Sequence, residues 1–366
     1  MNSIERVKKS LDHDEPDMVP IHDSFWESTI KKWYKEGLPE DIKINDYFDF
    51  DMAFICCDTS PQFPMEVVED FGTSFIGKNR FGELIRETKN HAATIEVIKS
   101  PVKNYSDWNK LKERLVVNNS RLNSFNNIVT SLKDSIISWD ETLKQFEIDY
   151  KKERFILFLV NTGFDMIQRY TGMEGLLMIM VDNPKWAKEM FDTQAKFTLE
   201  VFKFLVENGL RFDGVFLGND MGYRNATLFS PICYKELIFP SDKLMCNSFH
   251  DMDVKVILHS DGNINEFMPL IIEAGFDCIQ PIEIKAGMDL ISLKNNYGDK
   301  IAFMGGIDTR IISTNDFEDM EEEIKIKFKV AKKGGGYIYH SDHSIPDNIG
   351  FSQYAKFLEI VKKYRI

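Results

Sequence analysis

Two short stretches carry the residue types from which a metal site or an acid–base centre can be built: HSDGN at 259–263 and HSDHS at 340–344. Imidazole nitrogens and carboxylate oxygens at close spacing suit a hard or borderline divalent cation such as zinc. His259 and Asp261 are two residues apart, so on a strand end both side chains leave the same face. Three readings stay open. In the first, His259 and Asp261 hold a divalent metal with His343 or His340 as third ligand, leaving one position for substrate. In the second, the imidazoles do acid–base work without a metal. In the third, they hydrogen-bond neighbouring carboxylates and only order two loops.

Other polar residues follow apolar runs in the same way. Asp220, after GVFLGN, reads as a general base, a metal ligand or a helix cap, and Asp58, after DMAFICC, is equally open. Glu283 ends QPIE and stands near Lys285, so an ion pair is the simplest reading. Asp220, Glu283 and Asp58 are the catalytic candidates. His22, Asn219 and His340 are candidates for touching a substrate or cofactor. Phe25, Trp26, Trp33, Phe164 and Tyr170 are read either as the wall of a flat ligand site or as core; Trp26 and Phe164 are the two carried forward as binding candidates. Gly334-Gly335-Gly336 precedes a strand and so does not read as a phosphate loop. Gly305-Gly306 follows one and admits close backbone approach.

The elements that must position these residues alternate in type. Short apolar runs at 18–21, 51–57, 155–160, 214–217, 254–258, 277–281, 301–304 and 337–339 read as strands. Helical patterns lie between most of them, at 25–35, 165–208, 264–274, 288–297, 316–332 and 351–363. Alternating β and α units imply a parallel sheet, and eight of them imply a closed (β/α)₈ barrel, a TIM barrel, as one domain over 1–366. An open doubly wound sheet is the alternative, but no GxGxxG follows the first strand. In such a barrel chemistry sits at the C-terminal strand ends, where the polar residues above fall. A short helix at 3–11 forms an N-terminal extension. Residues 74–98 alternate like a hairpin, with turn signals at Gly77-Lys78-Asn79 and Lys89-Asn90, and 105–150 read as a polar helical insertion.

Composition narrows the function classes. The formal net charge is −13, and the Lys clusters sit among acids, which argues against a nucleic-acid binder. The five Cys include no CxxC pair, which favours reduced thiols in a cytoplasmic protein over disulfides or a Cys-rich zinc site. The charged N-terminus does not read as a signal peptide, and no apolar run approaches ~18 residues, so neither secretion nor a membrane span is expected.

The segments VILHSDGNINEFMPLIIEAGFDCIQPIE, IAFMGGID and GGGYIYHSDHSIPDNI, with DMAFICCD more weakly, resemble the uroporphyrinogen decarboxylase-like superfamily. That superfamily includes methylcobamide:coenzyme M methyltransferases and the methyltransferase components of corrinoid-dependent demethylases. The resemblance implies a (β/α)₈ barrel that pairs as a homodimer. It also implies methyl transfer between a small methylated substrate, such as a methyl ether, and the cobalt of a corrinoid carried by a partner protein. The family's zinc motif His-x-Cys-Gly is matched by His259 and Gly262, but Asp261 replaces its Cys. His343 stands where a second Cys is expected. A metal held here by His259, Asp261 and His343 is therefore harder than the family's thiolate-bound zinc and suits an oxygen substrate. The haem-pathway decarboxylase is the second expectation: Asp58 and His343 match its motifs. Its Arg-rich loop, which grips carboxylates, is replaced here by the Arg-free HDSFWESTIKKWYKEG. A non-enzymatic corrinoid or tetrapyrrole binder is the third.

Overall fold

The computed structural model describes residues 1–88, 95–125, 132 and 135–366. Seven strands form one parallel sheet in sequence order: β1 (Met52–Ile55), β2 (Phe155–Asn161), β3 (Gly214–Gly218), β4 (Lys255–His259), β5 (Cys278–Gln280), β6 (Ala302–Met304) and β7 (Tyr337–Ile338). Their near-continuous apolar character follows from burial on both faces. In β2, Phe155 and Leu157 point to one side and Ile156, Phe158 and Val160 to the other, as a period of two requires. The first side joins Met52, Phe216, Ile257, Ala302 and Met304 in a small cluster inside the curl of the sheet. The second packs on the surrounding helices in the large cluster. The architecture is α/β and TIM-barrel-like.

Helix Ser3–Leu11, capped by Asn2 with Glu5 reaching back, sends Val7 and Leu11 into the inner cluster. Its Arg6 and the C-terminal Arg365 both meet the buried carboxylate of Asp51, at 2.6 and 3.1 Å. Asp51 also accepts the backbone N–H of Ile21 at 2.8 Å. The strand expected at 18–21 is reduced to a single parallel bridge from Ile21 to Tyr339. Hydrogen bonds nevertheless run from this segment to both sides: Tyr339 N–H to Pro20, His22 N–H to Tyr339, and Asp51 N–H to Ile21. Pro20 has no N–H to add to a longer ladder.

Between β1 and β2 the chain leaves the barrel. The expected hairpin is a four-stranded antiparallel sheet, Glu66–Asp70, Ser74–Lys78, Leu84–Thr88 and Glu96–Lys99. Its first and last strands are exposed along their length, so apolar periodicity does not mark them. The turn signal at Lys89-Asn90 lies outside the described residues. The insertion that follows is helical at Tyr105–Lys112 and Trp139–Lys151, with a short strand pair, Ser124–Phe125 with Ile136–Ile137, between them. Among the described residues no helix is long and apolar enough to cross a membrane.

The helix Phe239–His250 carries a buried acid. Asp242 is 1% exposed and accepts from the Tyr234 hydroxyl at 2.7 Å. Burial pushes its carboxyl up to about 7. The folded chain therefore holds a proton there that the unfolded chain has released. Stability linked to this group is present at low pH and is lost as pH rises between about 4 and 7. Asp242→Asn is expected to melt with the wild type near pH 4. At pH 8 it should be more stable by about 4 kcal/mol, read from denaturant titrations at the two pH values. Equal stability at pH 8 contradicts the assignment.

Candidate metal centre and active site

His259 is the last residue of β4 and pairs in register with Gly218 of β3 and Gln280 of β5. In-register neighbours on one sheet point the same way, so the imidazole and the Gln280 amide meet, Nδ1 to Oε1, at 2.5 Å. With Oε1 accepting, Nδ1 carries the proton, and the Nε2 lone pair faces Asp220, 3.5 Å from Oδ1. Asp220 follows β3, and its Oδ1 accepts the Asp261 backbone N–H at 2.9 Å. Asp220, His259 and Asp261 thus offer one nitrogen and two carboxylate oxygens, all within 4.8 Å of one another and all half-buried. This set fits a hard or borderline divalent ion with sites left for substrate.

Two glycines make the approach possible. Gly222 and Gly262 touch backbone to backbone; a Cβ on Gly262 would lie 2.4 Å from the Gly222 carbonyl carbon. The loops after β3 and β4 then pair through Tyr223 and Asn263, with Asn263 N–H donating to Tyr223 at 2.7 Å. Ser260 adds a tie, its hydroxyl accepting the Met221 N–H at 3.0 Å. Glu283 holds the same loop from β5 by accepting the Gly262 N–H at 2.6 Å, while Lys285 pairs with it at 3.1 Å.

The charges are coupled. Burial lowers the His259 pKa, but Asp261, Asp220 and the Gln280 hydrogen bond overcome this and raise it. Burial also raises the Asp220 carboxyl, with His259 acting against it. A cation bound between them relieves both conditions, since it replaces the proton.

The structure distributes the other expected residues over distinct places. His343 stands beside this cluster, its Nε2 4.0 Å from Asp261, and Trp26 lies against it at a ring separation of 6.1 Å. Trp26 is exposed at the rim. His340 is buried and bonded to Ser24 at 2.9 Å and to the Ser341 carbonyl at 2.6 Å; burial lowers its pKa. Its ring also lies 3.5 Å from the Gln280 amide nitrogen, linking it to His259 through one side chain. His22 is buried against Phe54 and Phe50, and burial followed by the His340 charge sets its pKa well below the usual value. Asn219 caps the helix Gly163–Thr171, accepting the Phe164 N–H at 2.8 Å. Phe164 is fully buried against Phe229. Asp58 sits apart at the end of β1, where Ser60 and Gln62 donate to its two oxygens at 2.6 and 3.0 Å.

Two members of the site are not among the sequence candidates. Gln280 reads in sequence as one polar residue inside a strand, yet it orients His259. Asp165, near the start of helix Gly163–Thr171, has its carboxyl raised to about 6, first by burial and then by Asp220. Its place just after the strand end Asn161-Thr162 is the signal that points to it.

Whole-chain comparison places the fold. It is similar to a methyltransferase from Methanosarcina mazei, with a TM-score of 0.66 at 13% identity, covering 100% of this chain and 98% of that one. Dispersin B, at a TM-score of 0.35 and 9% identity over 62% of this chain and 76% of that one, is far less similar. So is a D-tagatose 3-epimerase-like protein, at 0.34 and 13% over 62% and 83%. No curated protein matches the sequence. The profile of the uroporphyrinogen decarboxylase (URO-D) family matches residues 162–364, which hold β3 to β7 and the whole Asp220–His259–Asp261 cluster, and the chain belongs to that family.

Proposed function

We propose that this chain is a cytoplasmic methyltransferase of the URO-D family, moving a methyl group between a small methylated oxygen compound and the cobalt of a corrinoid carried by a partner protein. The Asp220–His259–Asp261 cluster, with His259 turned by Gln280 so that Nε2 faces the carboxylates, carries this reading. Full-length similarity to a methyltransferase fold supports it. In the same reading Pro20–His22 acts as the eighth stave, closing the sheet into a (β/α)₈ barrel with one mouth, over which the corrinoid protein docks; the chain works as a homodimer.

Asp220, His259 and Asp261 would hold the divalent ion, zinc in the first instance, with His343 beside them, 4.0 Å from Asp261. An ion held there would supply Lewis-acid polarisation of the ether oxygen. The chain's own groups do the rest. Gln280 fixes the His259 tautomer, as the outer partners of ligating imidazoles do. Glu283 and Ser260 keep the β4 loop in place. Asp165, with its carboxyl at about 6, supplies the proton that the demethylated oxygen takes up. Trp26 and His343 wall the rim.

Decarboxylation of a tetrapyrrole is less well supported. Asp58 is already bound on both oxygens, and the acid of the Arg-free loop, Asp23, is buried under Tyr339 and Tyr354 hydroxyls at 3.0 and 2.8 Å. The test is anaerobic incubation of the metal-loaded protein with methoxylated aromatics and a reduced corrinoid protein. Methylation of cobalt, seen as the shift of its visible spectrum, is expected. Turnover of uroporphyrinogen without cobalt methylation would favour the decarboxylase instead.

A further inference from the structure

His22 is a buried imidazole without a hydrogen-bond partner. It is 6% exposed, its Nδ1 is fully covered with no hydrogen bond, and no described residue bonds Nε2 either. Native structures seldom leave a buried polar atom unmet, and such an atom calls for a ligand or a water. The direction of the ring follows from the backbone. Ile21 bridges to Tyr339, and both side chains lie in the outer cluster. His22, the next residue, therefore turns to the inside of the barrel, where its ring meets Phe54 at 4.8 Å and His340 at 6.0 Å.

The inner cluster opens at this level. In β1 Met52 is fully buried and Phe54 only partly so; in β2 Phe155 and Leu157 are fully buried and Leu159 only partly so. Phe54 meets Phe216 at a ring separation of 5.3 Å, and Phe216 stacks on His259 at 5.6 Å. An apolar floor thus runs from His22 to the metal cluster. Burial first, then the charge of His340, keeps His22 neutral. A neutral imidazole offers one N–H and one lone pair, which a hydroxyl complements on both counts.

We propose that His22 anchors a neutral hydroxyl of the ligand, whose apolar body lies on Phe54 and Phe216 and whose far end reaches the Asp220–His259–Asp261 cluster. His22 is then a specificity residue. A ligand lacking the hydroxyl leaves the imidazole unmet, and this discriminates more strongly than apolar contact does. The inference rests on the methyl-transfer reading only for what happens at the far end.

Calorimetric titration of the full-length protein with phenol and fluorobenzene, one ring with and without a hydroxyl, tests it. Phenol is expected to bind at least about tenfold more tightly, and to keep that margin in EDTA, where no metal accounts for it. The ring-nitrogen NMR signals of His22, assigned by their absence from His22→Gln, should shift more with phenol than with fluorobenzene. His22→Phe fills similar space without an unmet nitrogen. It should melt at or above the wild-type temperature and bind both probes equally, while His22→Gln should keep part of the margin. If His22→Phe does not fold, the wild-type margin and the nitrogen signals decide. Equal binding of the two probes by the wild type, as expected where His22 bonds only an ordered water, would overturn the anchor. So would no phenol binding at millimolar concentration, a margin that EDTA abolishes, or a margin unchanged in folded His22→Phe. Neither probe has a methyl group to give. Phenol binding therefore upholds the anchor even where cobalt methylation fails, and that failure then falls on the methyl-transfer reading alone.

Discussion

Replacing His259 with alanine is expected to lower methyl transfer by about a thousandfold or more while leaving the fold intact. The side chain is half-buried at the end of β4 and packs chiefly on Phe216 and Gln280, so its loss opens no deep cavity. What disappears is the nitrogen donor of a three-ligand set. Two carboxylates remain, one ligand short of the set and without its nitrogen donor, which weakens residual ion binding. His259→Gln keeps a hydrogen-bonding group toward Gln280 but places no imidazole lone pair near Asp220, so it should fall with the alanine variant. Steady-state rates with the corrinoid partner, beside melting curves of both variants, check this. A variant that melts as wild type and keeps more than a tenth of its activity contradicts the role given to His259.

The second large effect lies in the backbone. Gly305 follows β6 directly at φ +119°, where a Cβ would stand 1.8 Å from the Pro281 carbonyl oxygen. No rotamer relieves a clash between a Cβ and main chain, so the strand ends themselves must part. Gly306 N–H donates to that same carbonyl at 2.9 Å, and Gly305 N–H to Ile338 at 3.2 Å, so parting them breaks the junction of β5, β6 and β7. Gly305→Ala is therefore expected to cost about 4 kcal/mol, from unfavourable backbone conformation and overpacking together. The displaced Pro281 also carries Gln280 and Glu283, the residues that orient His259 and hold the β4 loop. Any folded fraction should accordingly bind metal more weakly than wild type. Denaturant unfolding and metal titration of the variant measure both effects. Wild-type stability would mean that the strand ends are looser than their hydrogen bonding indicates.

The parts of this protein legible in its sequence are those set by burial. Runs such as FILFLV and GVFLG are apolar on both faces, which only a sheet covered on two sides explains, and polar residues begin where the runs stop. The seven sheet strands follow from that. Residues 18–21 are apolar too, but Pro20 interrupts the donor pattern, and one bridge is what forms. The exposed strands Glu66–Asp70 and Glu96–Lys99 carry little periodicity because no face of them is buried. At the site, His259 and Asp261 announce themselves by spacing. Asp220 belongs with them through the backbone contact of Gly222 and Gly262, a tertiary fact that two ordinary glycines do not advertise. Gln280 gains its role only from strand register.

One measurement bears most directly on the account: anomalous diffraction from crystals of the protein prepared with zinc, paired with elemental analysis of the same sample. A single anomalous peak between Asp220, His259 and Asp261 is predicted, at one ion per chain and lost in His259→Ala. An ion bound elsewhere, or a metal content that the His259 substitution does not change, would contradict it.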